Sequence, residues 1–358
     1  MTRPPETLRG ATIVGTGMYV PERRLTNADL EKIVETSDEW IVERSGIRER
    51  RIAAPEQASS DLGLIAAQRA LEMAGLRPGD LDQIIVATTT PDQFLPSCAC
   101  TLQAKLGAKS AAAYDVYAAC SGFVFGLGVA RSVIGAGLAD TVLLVGVETL
   151  SRVTDYQDRN TCVLLADGAG AVVLRPCAPE EGILAVSLHS DGTQGDLLEI
   201  PAGGSRRPAS AETVAAREHF VRMKGREVFK VAVRGMGEST LEALQGAGLS
   251  PGDLEVVIPH QANLRIIDAV QQRLGLPAEK VIRNIDRYGN TSSASIPISL
   301  DELVRAGRLK PGDNVGFAAF GGGVTWGAAV ARWTLARQGG PAGRPAAESM
   351  TMARGTTP

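Results

Sequence analysis

No uninterrupted apolar run in this 358-residue chain approaches the length that crosses a bilayer. The longest buried-looking stretches, such as VLLVGV (142–147), are the size of a strand. Residues 1–10 are polar and proline-rich and lack the apolar core of a secretory leader, so a cytoplasmic protein is expected. Net charge is only −3, from 37 Lys and Arg against 40 Asp and Glu, which leaves no global basic field for nucleic acid. The five cysteines, Cys98, Cys100, Cys120, Cys162 and Cys177, are odd in number and form no C-x-x-C pair. That speaks against a disulfide framework or a metal site and fits a reducing compartment. No phosphate-loop pattern is present. Of the three histidines, His189 and His219 lie in no motif that suggests catalysis.

What the chain does contain is a repeat of itself. GLRPGDLDQIIV (75–86) resembles GLSPGDLEVVIP (248–259), and ADTVLLVGVE (139–148) lines up with GDNVGFAAFG (312–321), both at an offset of 173 residues. Two halves are therefore expected, 1–180 and 181–337, followed by a tail, 338–358, whose Gly, Pro, Ala and Thr content reads as disordered. Each half reads helix, Pro-Gly-Asp turn, strand, helix, strand, helix, strand. SSDLGLIAAQRALEMAG (59–75) has a polar start, apolar residues at helical spacing and a glycine stop. IIVATT, VLLVGV, VVIPH and VGFAAF read as strands buried on both faces, which implies a layered α/β architecture.

Chemistry concentrates at the ends of those strands. Cys120 stands in YAACSGFVFGLGVA (117–130), after a strand-like run and before a helix-like one. A helix N-terminus there is expected to favour its thiolate. His260 ends the IPHQAN strand, Asn290 lies in YGNTSSAS after the second strand-like run of its half, and glycines 321–323 end the FAAF strand. Ligands of such sheets bind beyond the carboxyl ends of the strands, so the repeat allows all four turns to meet in one cleft. Cys, His and Asn in Gly/Ala/Ser-rich turns suggest thioester chemistry.

Seven ordered motifs carry a resemblance: TSDEWIVERSGIRERR (36–51), DVYAACSGF (115–123), DRNTCVLLADGAGAVVL (158–174), EVFKVAV (227–233), PHQANLRII (259–267), NIDRYGNTSSASIP (284–297) and FGGGVTWG (320–327). Together they resemble the β-ketoacyl-acyl-carrier-protein synthase III family of the thiolase superfamily, over nearly everything but the tail. The resemblance implies a thiolase-like five-layered αβαβα fold, a homodimer and a Cys120-His260-Asn290 triad. It implies decarboxylative condensation of a short acyl-CoA, acetyl-CoA above all, with malonyl-acyl carrier protein to start fatty acid synthesis. Acyl-CoA would be a substrate, and no cofactor, metal, nucleic acid or membrane is expected.

The same resemblance assigns further positions. The backbone N–H groups of Cys120 and Gly322 would form the oxyanion hole, and Phe320 an apolar wall beside the malonyl carboxylate. Thr36, Trp40, Arg44, Arg159, Ala262, Asn263 and Arg265 match CoA-binding positions, with Trp40 and Arg159 around the adenine. Lys230, Arg265 and Arg273 would receive the acidic carrier protein. Leu95 matches a position that lines the acyl pocket across the dimer interface, where the family often has Phe or Thr, and Arg226 replaces a common asparagine near the pantetheine arm. Two rivals remain at this level: a relative in secondary metabolism with another acyl donor or acceptor, and a silent acyl-binding protein.

Overall fold

The computed structural model describes residues 9–336, so the tail lies outside the described residues. The first sheet is built from β1 (Gly10–Tyr19), β2 (Gln83–Ala87), β3 (Ala112–Val116), β4 (Val142–Thr149) and β5 (Asp167–Cys177), in the order β1-β5-β4-β2-β3. β2 is parallel to both β3 and β4, while β5 runs antiparallel to its two neighbours. The second sheet is built from β6 (Gly182–Ser190), β7 (Val256–Pro259), β8 (Asn314–Gly321) and β9 (Thr325–Arg332), in the order β7-β8-β9-β6, with β7 and β8 parallel.

Seven helices complete the layers: α1 (Asp38–Ser45), α2 (Ser59–Ala74), α3 (Cys98–Leu106), α4 (Gly122–Gly135), α5 (Gly225–Gly246), α6 (Leu264–Leu274) and α7 (Ser295–Arg305). α2 and α3 cover the outer face of the first sheet, and α5, backed by α6, covers that of the second. α4 and α7 lie between the sheets. The layer order is thus αβαβα, as expected. Strand β4 is buried throughout, and Leu144, Phe123, Leu127, Ile296, Leu300 and Phe317 meet in the central cluster. Burying each such side chain stabilises the fold by roughly 1.5–3 kcal/mol.

The sequence repeat is a repeat of geometry. Pro78–Asp80 and Pro251–Asp253 are both 3-10 turns, each capped by its own aspartate accepting the N–H of Arg77 or Ser250 at 2.8 Å. Gly75 and Gly248, just before them, both have φ near +67° and terminate the preceding helical segment. Gly122 and Ser295, which open α4 and α7, are also 173 apart (295 − 122). One expected strand is almost missing. Before Asn290 the second half makes a single parallel bridge, Val281 to Val257, and Ile285–Tyr288 is a short helix. The Gln261 side chain takes the place of the ladder: its Nε2–H donates to Ile282 O at 3.2 Å and its Oε1 accepts from the Asn284 N–H at 3.1 Å.

Candidate active site

Cys120 sits in a 3-10 turn, Ala119–Ser121, immediately before α4. Ala119 has φ +46°, and Ser292, its mate at 173 residues, has φ +49°. Left-handed backbone at a residue with a Cβ costs roughly 1–2 kcal/mol, so each turn must be held. Ser121 Oγ and Thr325 Oγ1 hydrogen-bond at 2.6 Å, and each reaches Ala118 O, at 3.1 and 3.0 Å. The other turn is held by Glu148, the only charged residue of β4. Its Oε1 accepts from the hydroxyls of Ser292 and Ser293 at 3.0 and 3.2 Å, and its Oε2 from the Thr90 hydroxyl at 2.6 Å and the Thr89 N–H at 3.1 Å. Burial pushes the Glu148 carboxyl up, and these hydrogen bonds pull it back.

Glycines let the turns close on the sheets. A Cβ at Gly146 would lie 2.4 Å from Ser293 O, and one at Gly321 would lie 2.6 Å from Cys120 N. No side chain fits at either place, so the Cys120 turn rests directly on the end of β8.

A cavity of about 410 Å³ opens over this junction, with Cys120, Asn290 and Gly322 in its wall and Leu164, Leu198 and Met223 along its length. Asn290 is fixed in orientation: its Oδ1 accepts the Ser292 N–H at 2.8 Å, which leaves the amide Nδ2 as a donor. His260 is 1% exposed, is not in the cavity wall, and hangs from the end of β7 by its backbone N–H to Ala318 O at 2.7 Å. Its ring Nδ1 meets Ser295 Oγ at 2.7 Å. Asn290, Ser292 and Ser295 belong to one short run, so the same segment orients the amide and the imidazole.

The electrostatics correct one expectation. Burial pushes the Cys120 thiol up to about 12, assisted by the Glu148 charge and opposed by a hydrogen bond from Ser292. The helix N-terminus does not keep a standing thiolate, because desolvation outweighs it. Burial also pushes His260 down to about 3, so its imidazole is neutral. The pair is a thiol and an uncharged ring, not an ion pair.

The remaining expected positions fall into two places. The guanidinium carbons of Arg159 and Arg44 lie 5.1 and 5.8 Å from the centroid of Trp40. Trp40 packs into the cluster that also contains Leu164, Leu198 and Met223, which joins it to the cavity. Asn263 caps α6 through the Arg265 N–H at 2.9 Å and donates its Nδ2–H to Arg44 O at 3.0 Å, with Ala262 half-buried beside it. Thr36 Oγ1 is buried without a protein partner. Lys230 and Arg265 are exposed, the latter with its guanidinium 5.9 Å from the Phe229 ring. Arg273 is paired with Glu238 at 3.1 Å and its stem lies over Gly237. Phe320 is buried in the outer core and Leu95 is 86% exposed, so neither lines the cavity of its own chain.

Sequence reading passed over Glu148, Ser292, Ser295 and Thr325. A lone carboxylate in an apolar strand and the hydroxyl-rich run NTSSAS were the available signals.

A strained nucleophile turn between two sheets, facing a fixed amide donor at the mouth of an apolar channel, defines an acyltransferase of the thiolase fold. Comparison with known proteins makes this specific. Residues 114–192 match the family described as 3-oxoacyl-[acyl-carrier-protein] synthase III, and residues 244–333 match its C-terminal counterpart. A β-ketoacyl-[acyl-carrier-protein] synthase III of Desulfitobacterium hafniense is 55% identical over 322 residues, 90% of this chain and 97% of that one. One from a Roseiflexus species is 55% identical over 324 residues, again 90% of this chain and 98% of the relative. The crystal structure of the Aquifex aeolicus synthase III superposes with a TM-score of 0.84 at 49% identity, covering 90% of this chain and all of that one. The chain belongs to the β-ketoacyl-acyl-carrier-protein synthase III family, and it is an acyltransferase that initiates fatty acid biosynthesis.

Proposed function

We propose that the protein condenses a short acyl-CoA, acetyl-CoA first, with malonyl-acyl carrier protein through an acyl-Cys120 intermediate. The observation that carries this reading is the shared wall of one cavity: Cys120, the Asn290 amide and Gly322, with His260 held by the same segment that orients Asn290.

In the first half-reaction the Cys120 sulfur attacks the acyl carbon and the C–S bond to CoA breaks. The thiol proton ends on the CoA sulfur, so no permanent base is needed. The N–H groups of Cys120 and Gly322 stabilise the oxyanion. In the second, the malonyl thioester loses CO₂, and the charge that develops on its thioester oxygen is met by His260 Nε2–H and Asn290 Nδ2–H. The carbanion attacks acyl-Cys120, the new C–C bond forms, and the sulfur leaves and regains one proton from solvent. A thiol held high at about 12 takes that proton readily. Phe320 backs the end of β8 and keeps that side apolar.

Trp40 and Arg159 receive the adenine by stacking and cation–π contact, and Arg44 and Arg265 face the phosphates. Thr36, with its unpartnered hydroxyl, Ala262 and Asn263 complete that surface. Lys230 and Arg265 attract the acidic carrier protein and raise its on-rate, while Arg273 shares its charge with Glu238. A homodimer is supported by the exposure of Phe94 at 88%, Leu95 at 86% and Tyr117 at 75% near the edge strand β3. A partner copy would cover them and bring its own Leu95 to the acyl end. No helix among the described residues is long and apolar enough to cross a membrane, which accords with a cytoplasmic enzyme.

The test is intact mass after incubation with acyl-CoAs from acetyl to medium-chain and branched, with Cys120→Ala as control. Adducts that are strongest for acetyl and lost in the variant are expected. Absence of any Cys120-dependent adduct would overturn the CoA-primed route.

A further inference from the structure

His260 is neutral, so its ring carries one proton, and which nitrogen holds it decides what the residue can do. With the proton on Nε2 the ring donates a hydrogen bond outward; with the proton on Nδ1 the outward nitrogen can only accept. Nε2 makes no hydrogen bond to any of the described residues. The choice therefore rests on Nδ1, whose one partner is Ser295 Oγ at 2.7 Å.

The hydroxyl of Ser295 is itself constrained. Its oxygen accepts the Gln261 N–H at 3.3 Å, which occupies one lone pair. Among the described residues, His260 Nδ1 is the one acceptor within reach of its proton. An O–H with a single acceptor donates to it, so Nδ1 is the acceptor nitrogen and Nε2 carries the hydrogen. Ser295 is buried, at 2% exposure, so water does not compete for that proton. Its place is rigid as well: it is the first residue of α7, packed between the two sheets. The equivalent residue of the other half is Gly122, which has no hydroxyl to offer. The serine is thus specific to the half that carries the histidine.

We propose that Ser295 is a positioning residue that fixes His260 as its Nε2–H tautomer and so makes it a donor to the thioester oxygen during decarboxylation. The role rests on the reading of His260 given above. It also separates the half-reactions. A ring locked as a donor has no free nitrogen facing outward to take the Cys120 proton, so acyl transfer to Cys120 does not depend on Ser295 and decarboxylation does.

The chain has three histidines, which makes the tautomer directly measurable by nuclear magnetic resonance of isotopically labelled imidazole nitrogens. His260→Ala identifies the signal. In the wild-type protein Nδ1 is expected to be of the pyridine type and Nε2 of the pyrrole type. Ser295→Ala should lose that preference and slow malonyl-carrier-protein decarboxylation about 10- to 100-fold, the range seen when a residue orienting a functional imidazole is removed. Acylation of Cys120 by acyl-CoA should stay within about twofold. Ser295→Thr, which keeps the hydroxyl, should retain both tautomer and rate. A pyrrole-type Nδ1 in the wild-type protein, or an unchanged tautomer in Ser295→Ala, overturns the proposal, and the wild-type spectrum decides even if the alanine variant does not fold. A changed tautomer with undiminished decarboxylation also overturns it. If His260→Ala then decarboxylates normally too, the failure lies in the role given to His260 rather than in the hydrogen bond.

Discussion

Replacing Gly321 by alanine tests whether the close seat of the Cys120 turn on β8 matters for catalysis. The added Cβ would lie 2.6 Å from Cys120 N, 3.0 Å from Ser121 N and 3.1 Å from the Ala119 Cβ. Ordinary contacts begin at 3.4 Å, so the turn must move by about 0.8 Å (3.4 − 2.6). Two of the three atoms are backbone, and the turn is pinned behind by Ser121 and Thr325, so no flexible side chain can absorb the shift. The displaced atom is the Cys120 N–H itself, one of the two oxyanion donors. A misplacement near 1 Å costs on the order of 10²-fold in rate, or about 2.7 kcal/mol in barrier. Overpacking should lower stability by about 1–3 kcal/mol. The assay is the single-turnover rate of Cys120 acylation by acetyl-CoA, followed by intact mass, with thermal unfolding alongside. Gly79→Ala, where a Cβ meets nothing within 4 Å, is the control and should be neutral in both. Acylation of Gly321→Ala within about threefold of wild type would refute the reasoning.

Three further outcomes are expected. Alkylation of Cys120 by iodoacetamide should rise through pH 10 without a plateau, because the folded thiol titrates at about 12; a plateau with a midpoint near 7 would show a standing thiolate instead. The sign for stability follows: with the folded value above the ordinary 9.0, the wild type should lose stability relative to Cys120→Ser as pH climbs from about 9 towards 12, as read by denaturant unfolding. His260→Ala and Asn290→Ala should each keep acylation of Cys120 while losing malonyl decarboxylation by about 10²–10³-fold, checked by CO₂ release. Arg159→Ala should raise KM for acetyl-CoA about 2- to 30-fold, the equivalent of a 0.5–2 kcal/mol cation–π contact, and leave the rate with an acyl-pantetheine unaffected.

The strands and the layered fold were legible because β2, β4, β7 and β8 are short apolar runs between turn residues, and the repeat of Pro-Gly-Asp turns set the order of the halves. Cys120, Asn290 and the glycines after β8 were legible as motifs, and the structure brings them to one wall. What the sequence hid were interactions between distant residues. Ser295 reaches His260 across 35 positions and Glu148 reaches Ser292 across 144. The near absence of a strand before Asn290 depends on one glutamine side chain satisfying backbone groups 21 and 23 residues away. The thiol's elevation was hidden too, since a helix start is visible in a sequence but the depth of burial that outweighs it is not.

The two left-handed turns at Ala119 and Ser292 make the molecule a duplicated device of which one copy has been disarmed. The mate of Cys120 is Ser293, and the mate of Gly321 is Glu148, both at 173 residues. In one copy the end of the strand is a glycine and the turn above it opens to a channel. In the other a carboxylate fills that place, and the Ser293 hydroxyl is held between it and Ala87 O, at 1% exposure. Whether a turn becomes a workplace or a bracket is thus decided less by its own residue than by the one beneath it. A cysteine placed at Ser293 would inherit the right backbone and remain mute, and the second turn serves instead as the fixed frame from which Asn290 faces its reactive twin.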